Sequence, residues 1–353
     1  MAFEIGVMTF GEITEDPRTG AAPSPRQRAR DTIEQAKVAD EVGLDVFGVG
    51  EHHRSDFVGS APTIMLAAAA EQTRNIKLTS SVTVLSSEDP VRVWEQFATI
   101  DLLSAGRAEI IAGRGSYTES FPLFGYDLKD YGDLFREKLD LLLKIRERNP
   151  LTWKGRFRAP LVDADIAPRA DGETIPIWVG VGGSTASAIS TGRLGLPMAL
   201  ALLLGPLTFH EQTVELYRES AAKAGHDADA LPISINTHGF VGRTSQQARD
   251  VMYPYFAKGM AENNHQRGKG LLLPRVAFDA QSSPRSGLLV GSPQEVIDKL
   301  LAYHELYGLN RAIIQMGFGG MPQKEHLEAI ERLGTEVAPV VRQEVAASKR
   351  RAA

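Results

Sequence analysis

Eight short apolar runs, most of them followed by a segment of helical periodicity, constrain this chain more than anything else in it. They span residues 3–10, 45–50, 76–85, 107–112, 175–181, 196–202, 232–241 and 311–318. The runs are continuous in Val, Ile and Leu rather than alternating, the pattern of parallel strands covered on both faces. Between them, Ala29, Ile33, Ala36, Ala39 and Val42 keep helical spacing, and Gly43 is placed to end that helix. Thr208 with Glu211, Thr244 with Gln247, and Ser292 with Glu295 have the spacing of capping boxes. Strand and helix alternating eight times predict an α/β fold, a (β/α)8 TIM barrel, occupying residues 1–347 as one domain with a frayed basic tail at 348–353.

Three connections exceed ordinary loops and are read as insertions, in part over the C-terminal face. Residues 11–25 are rich in Pro and Gly and follow the first strand. Residues 149–174 interrupt the fourth unit, with a small hairpin expected around 153–157. Residues 263–290 form a polar excursion in the seventh unit. Loops of this length in compact domains are commonly lids or binding loops.

Composition excludes several classes of function. A net charge of −5 gives no field to attract nucleic acid or an anionic membrane. The absence of cysteine removes disulfides, thiolate nucleophiles and cysteine-based metal sites. The apolar stretch 194–207 is broken by Gly195, Pro197 and Gly205, and residues 1–10 carry neither a basic region nor a cleavage signal. A soluble cytoplasmic protein is expected.

In a barrel of this kind, chemistry gathers where strands end at the C-terminal rim. Glu51-His52-His53 stands directly after the second strand. Neighbouring strand residues face opposite ways, so one histidine serves the site and the other packs or positions it, unless the strand has already broken. The fifth strand runs into Gly182-Gly183-Ser184-Thr185 and a helix start, an arrangement whose backbone N–H groups suit a phosphate. A dinucleotide fingerprint from Gly180 fails, because Thr185 stands where it needs glycine and no acidic residue follows about twenty positions on. Arg114, between Gly113 and Gly115, is a second candidate anion anchor. A structural glycine turn, an exposed turn arginine and a packed histidine are the plain alternatives. A metal-hydrolase reading, which predicts bound zinc, is short of ligands. His238 is the one other strand-borne histidine, so the metal assignment is none.

In order and spacing, Glu51-His52-His53, Ser80-Ser81-Val82-Thr83-Val84-Leu85, Asp89-Pro90-Val91-Arg92, residues 101–107 and Gly113-Arg114-Gly115 resemble the bacterial luciferase-like flavin monooxygenases. The resemblance resumes at 176–187, Gly195-Leu196-Pro197, Phe318-Gly319-Gly320 and 336–339. It implies a homodimeric barrel that binds reduced FMN at its C-terminal face and uses O2 to oxygenate a small, apolar organic substrate through a flavin peroxide. Carried over residue by residue, it makes His52 and Glu51 catalytic, with His52 as general acid/base. Arg114, Gly182, Gly183, Ser184 and Ser187 would hold the phosphate. Ser81 and Val82 would lie under the flavin ring, where the family often has a non-proline cis peptide. Met8, Phe10, Tyr117 and Phe121 are expected to line an apolar pocket.

There are two departures from luciferase proper. Gly113 replaces a cysteine, and the sixth strand lacks an aromatic residue, so light emission is not expected. The rivals are hydride transfer with a deazaflavin (F420) and a non-catalytic flavin-binding protein. With no dinucleotide fingerprint, a separate NAD(P)H:flavin reductase is expected as partner.

Overall fold

The computed structural model describes residues 2–172, 174–263 and 272–352. The expected runs form eight barrel strands: β1 (Glu4–Thr9), β2 (Val46–Val49), β3 (Lys77–Ser80), β4 (Ala108–Gly113), β5 (Ile177–Val181), β6 (Met198–Leu202), β7 (Ile233–Val241) and β8 (Arg311–Gln315). All pair in parallel, and β8 closes the barrel by pairing β7 on one side and β1 on the other. Outer helices include α1 (Pro25–Glu41), α2 (Pro62–Ala70), α3 (Pro90–Ser104), α4 (Tyr131–Glu147), α5 (Thr185–Arg193), α6 (Glu211–Lys223), α7 (Ser245–Asn263), α8 (Pro293–Tyr307), α9 (Gln323–Arg332) and α10 (Ala338–Ala352).

The α1 spacing behaves as expected. Ala36 and Ala39 are buried, Ser24 accepts the N–H of Gln27 at 3.1 Å as N-cap, and Gly43 follows at φ 75°. Thr244 and Ser292 cap through the amides of Gln247 and Glu295 at 3.2 and 3.3 Å. The Thr208–Glu211 box does not form, because Leu207–His210 coils as a 3-10 turn with Thr208 inside it.

Most of the core lies between strands and helices, where Phe47, Trp94, Phe97, Ile110, Tyr217, Tyr303 and Ile330 are buried. A second, smaller cluster fills the barrel: Met8, Val46, Ile111, Trp178, Ala199 and Ile313, with Phe10 and Val82 against it. Below that cluster the barrel is plugged by charge. Arg311, 2% exposed, donates from Nε to Glu4 at 2.6 Å and from Nη1 and Nη2 to Glu109 at 2.5 and 3.1 Å. Lys77 bridges the same two carboxylates at 2.7 and 3.4 Å, and the Trp178 ring lies 4.3 Å from the guanidinium carbon. Burial lowers the affinity of Arg311 for its proton, but the two carboxylates more than offset this and hold it above the ordinary value.

Four expectations need correction. The third run is not one strand: β3 stops at Ser80, and Thr83–Val84 resumes by pairing Ala112 and Gly113 of β4. The eighth stops at Gln315 rather than 318. The excursion ends in structure, with a helix at Arg275–Gln281 and a short strand Leu289–Gly291 parallel to β7; residues 264–271 lie outside the described part. The basic tail continues α10 as helix to Ala352. The hairpin in 149–174 is present as the antiparallel pair Leu151–Trp153 and Leu161–Ala164. No described helix is long and apolar enough to cross a membrane.

Candidate active site

Strand β2 has ended before Glu51, so alternation no longer governs the two histidines. Each imidazole takes its own carboxylate. His52 Nδ1 lies 3.1 Å from Glu119 Oε1, and His53 Nε2 lies 2.8 Å from Glu51 Oε1. The second oxygen of Glu51 accepts the Val84 N–H at 2.8 Å. Both oxygens of Glu51 are thus spent on His53 and on the strand that resumes after β3. It braces the rim, and the carboxylate beside His52 is Glu119. The hydrogen bond that the His53 ring donates to Glu51 raises the ring above the usual histidine range.

His52 is buried inside three rings, with centroid distances of 4.5 Å to Phe10, 4.7 Å to Phe57 and 4.4 Å to Tyr117. The Arg54 guanidinium rests on Phe57 and Tyr117 at 5.4 and 5.9 Å. Phe124 covers His53 at 5.0 Å. The arrangement places an imidazole with one carboxylate partner in an aromatic enclosure, with a guanidinium against two of its rings.

The two anion anchors meet. Arg114 Nη2 donates to Ser187 Oγ at 2.8 Å, joining the loop after β4 to the first turn of α5. The guanidinium carbon lies 5.2 Å from the Tyr131 ring centre, and Tyr131 in turn donates to the Gly115 carbonyl at 2.6 Å. Ser184 is the N-cap of α5 in extended conformation, yet its hydroxyl makes no capping bond. Gly183 has φ 86°, a left-handed turn that glycine adopts without strain and that sets the helix start beside Arg114. Gly182 is exposed, with no atom within 4 Å of the position a Cβ would take. An uncapped helix start, a free hydroxyl and a guanidinium fit a phosphate monoester.

The Ser81-Val82 peptide is cis. Ser81 Oγ accepts from Asn236 Nδ2 at 2.8 Å and donates to Met8 Sδ at 3.1 Å. The Val82 side chain leans across β4. A Cβ on Gly113 would stand 2.4 Å from Val82 Cγ2, and one on Gly180 would stand 3.1 Å from Val82 Cγ1. The missing cysteine therefore has a physical reason, since any side chain at 113 collides with Val82.

Of the expected pocket residues, Met8, Phe10 and Tyr117 gather around Ser81 and His52. Phe121 does not join them. It is fully buried with its ring 5.5 Å from Tyr131, beneath the Arg114 anchor. Sequence reasoning missed Glu119, Phe57, Asn236 and Tyr131. It also missed Glu12, on the proline- and glycine-rich loop flagged as overlying this face. Glu12 accepts the Gly319 amide at 2.6 Å and Gln315 Nε2 at 3.1 Å. Burial pushes its carboxyl up to about 7, against the pull of the Gly319 amide. His238 lies between Phe256 and Phe318, its Nδ1 without a partner, and burial lowers it to about 4. Among the described residues no group of three or more His, Asp or Glu side chains is placed to hold a metal ion.

The family model described as "Luciferase-like monooxygenase" matches residues 3–309. The N-acetyl-S-alkylcysteine monooxygenase of Bacillus subtilis is 30% identical over 319 residues, covering 86% of this chain and 91% of that protein. The oxygenating constituent of 3,6-diketocamphane monooxygenase from Pseudomonas putida, solved in complex with FMN, is similar with a TM-score of 0.78 at 24% identity, over 96% of this chain and 98% of that one. An F420-dependent secondary alcohol dehydrogenase, solved with an F420-acetone adduct, reaches a TM-score of 0.73 at 17% identity, over 95% and 99%.

Proposed function

The chain belongs to the luciferase-like monooxygenase family, and from that premise we propose that it is the oxygenase component of a flavin-dependent monooxygenase. It takes reduced FMN from a separate reductase, works as a homodimer and oxygenates a small apolar organic substrate with O2. One observation carries the reading: Arg114 and Ser187 are joined at the uncapped start of α5, on the same rim as the enclosed His52.

Reduced flavin, when bound, supplies the two electrons that activate dioxygen. The rest falls to this chain's own groups. Arg114, Ser187, Ser184 and the amides after Gly182 and Gly183 hold the phosphate and so fix the position of the ring. Ser81, anchored by Asn236 and Met8, and the adjoining Val82 would back the ring. Phe10, Phe57 and Tyr117 keep water from His52, which holds or releases a proton at an imidazole nitrogen. A deazaflavin carries a longer acidic tail, and residues 182–190 offer it no Lys or Arg, which favours FMN.

The test is anaerobic titration with reduced FMN followed by an oxygen pulse in a stopped-flow absorbance instrument. Tight binding, with flavin reoxidation slower than in free solution, is the expected result. Arg114→Ala should weaken the binding, and His52→Ala should keep it but lose the slow reoxidation. Failure to bind reduced FMN, or preferential binding of reduced deazaflavin, would overturn the proposal.

A further inference from the structure

His52 has a second nitrogen, and the structure bears on which of the two works. Glu119 lies 67 positions away in sequence, on the loop that begins with Arg114, and reaches His52 Nδ1 at 3.1 Å. Burial pushes the Glu119 carboxyl up, but the His52 ring, with the backbone amides of Glu119 and His53, brings it below the ordinary glutamate value, so it stays ionised near neutrality. A carboxylate only accepts hydrogen bonds, so the proton in this contact sits on His52. The other oxygen, Oε2, is buried with no hydrogen-bond partner, so the imidazole N–H is the one side-chain donor that offsets the desolvation of this carboxylate, beside the backbone amides of Glu119 and His53. Phe10, Phe57 and Tyr117 pack around the ring and oppose the flip that would exchange its nitrogens.

We propose that Glu119 is the positioning residue of the acid/base histidine, holding His52 as the Nδ1–H tautomer so that Nε2 is the nitrogen that exchanges protons. The assignment rests on the role given to His52 above. When Nε2 takes a proton from substrate or solvent, the imidazolium carries hydrogen on both nitrogens, and Glu119 remains a carboxylate facing the new charge. No proton passes to Glu119, as in other carboxylate–histidine pairs. The loop from Arg114 to Glu119 thereby carries a cofactor anchor at one end and the orienting group at the other.

Long-range ¹H–¹⁵N correlation spectra of histidine-labelled protein at alkaline pH read the tautomer directly, with His52 assigned by its loss in His52→Ala. The expected pattern is a protonated Nδ1 and an unprotonated Nε2 at His52, lost in Glu119→Ala and retained in Glu119→Gln, whose amide oxygen still accepts the N–H. In turnover, Glu119→Ala should lower kcat about tenfold to a hundredfold with FMN affinity unchanged, and should cost nothing further in a His52→Ala background. An Nε2–H tautomer in the unsubstituted protein, or additive losses in the double variant, would overturn the proposal. The Nδ1–H tautomer in a protein that never turns over with flavin would instead sink the proposed function and leave the dyad standing.

Discussion

At the N-terminal end of the barrel, each guanidinium nitrogen of buried Arg311 has a carboxylate oxygen on Glu4 or Glu109, and Lys77 ties the two acids together. At the C-terminal end, Glu119 Oε2, Thr83 Oγ1 and His238 Nδ1 are buried without partners, and the Glu12 carboxyl is forced towards neutrality. The same eight strands therefore present a closed ionic plug at one end and unsatisfied polar groups at the other. Buried polar groups without partners are costly; one, Trp178 Nε1, lies beside the plug, and those at the C-terminal rim mark where the fold gives up stability for a site.

The largest test of this contrast lies in the plug. Arg311→Met should lower stability by about 3–5 kcal/mol, because it strands the buried Glu109 and the half-buried Glu4. Adding Glu109→Leu should recover part of the loss in chemical denaturation. If the single substitution costs under about 1 kcal/mol, the plug is not the structural end. Glu12→Gln tests the opposite rim. Between the ordinary glutamate range and about 7, the native state keeps a proton on Glu12 that the unfolded chain has released, so stability falls as pH rises through that window. Removing the titration should stabilise the protein by about 2–3 kcal/mol above pH 7 and change little near pH 4. Equal effects at both pH values would show that Glu12 acts by packing alone.

Arg114→Ala should weaken reduced FMN binding by about 1.5–3 kcal/mol and leave the melting temperature of the unliganded protein nearly unchanged. A matching fall in melting temperature would make Arg114 part of the scaffold and blur the two ends. The smallest effect belongs to the paired exception at the rim, Glu51 with His53. The His53 ring is held above its unfolded value, so its contribution is complete below about pH 6.5 and is lost as pH rises through the folded value. His53→Gln should flatten the stability curve across that interval by less than about 1 kcal/mol. A curve unchanged by the substitution would mean that the pair does not titrate in this range.

Legibility in the sequence followed locality. The barrel could be read because each strand announces itself as a run and each helix as a period, and the order of all eight strands was recovered. The break after Ser80 could not, since Thr83 and Val84 look like more strand and nothing in the sequence marks the lapse in pairing, where Val82 leans over Gly113 and Gly180. Likewise Arg114, Gly183 and Ser187 stand out because glycine marks turns. Glu119 carries no such mark: it is an ordinary glutamate whose role comes from a loop folding back across 67 residues. Phe121 misled for the same reason, as an aromatic residue near the site says nothing of which side of Tyr131 it takes.

The pairing of β1 with β8 also bears on how the chain reaches its native state. Glu4 and Arg311 stand opposite each other in register although 307 positions separate them. At about 5–20 residues per second, the ribosome needs on the order of 15–60 s to deliver the partner of the first strand. Throughout that interval β1 presents an apolar edge with its hydrogen bonds open, a template for mispairing. Its side chain at position 4 is a glutamate, and a charge held at an unpaired edge resists adding a strand from a neighbouring nascent chain. The residue that later seals the barrel is thus also suited to guard it during synthesis.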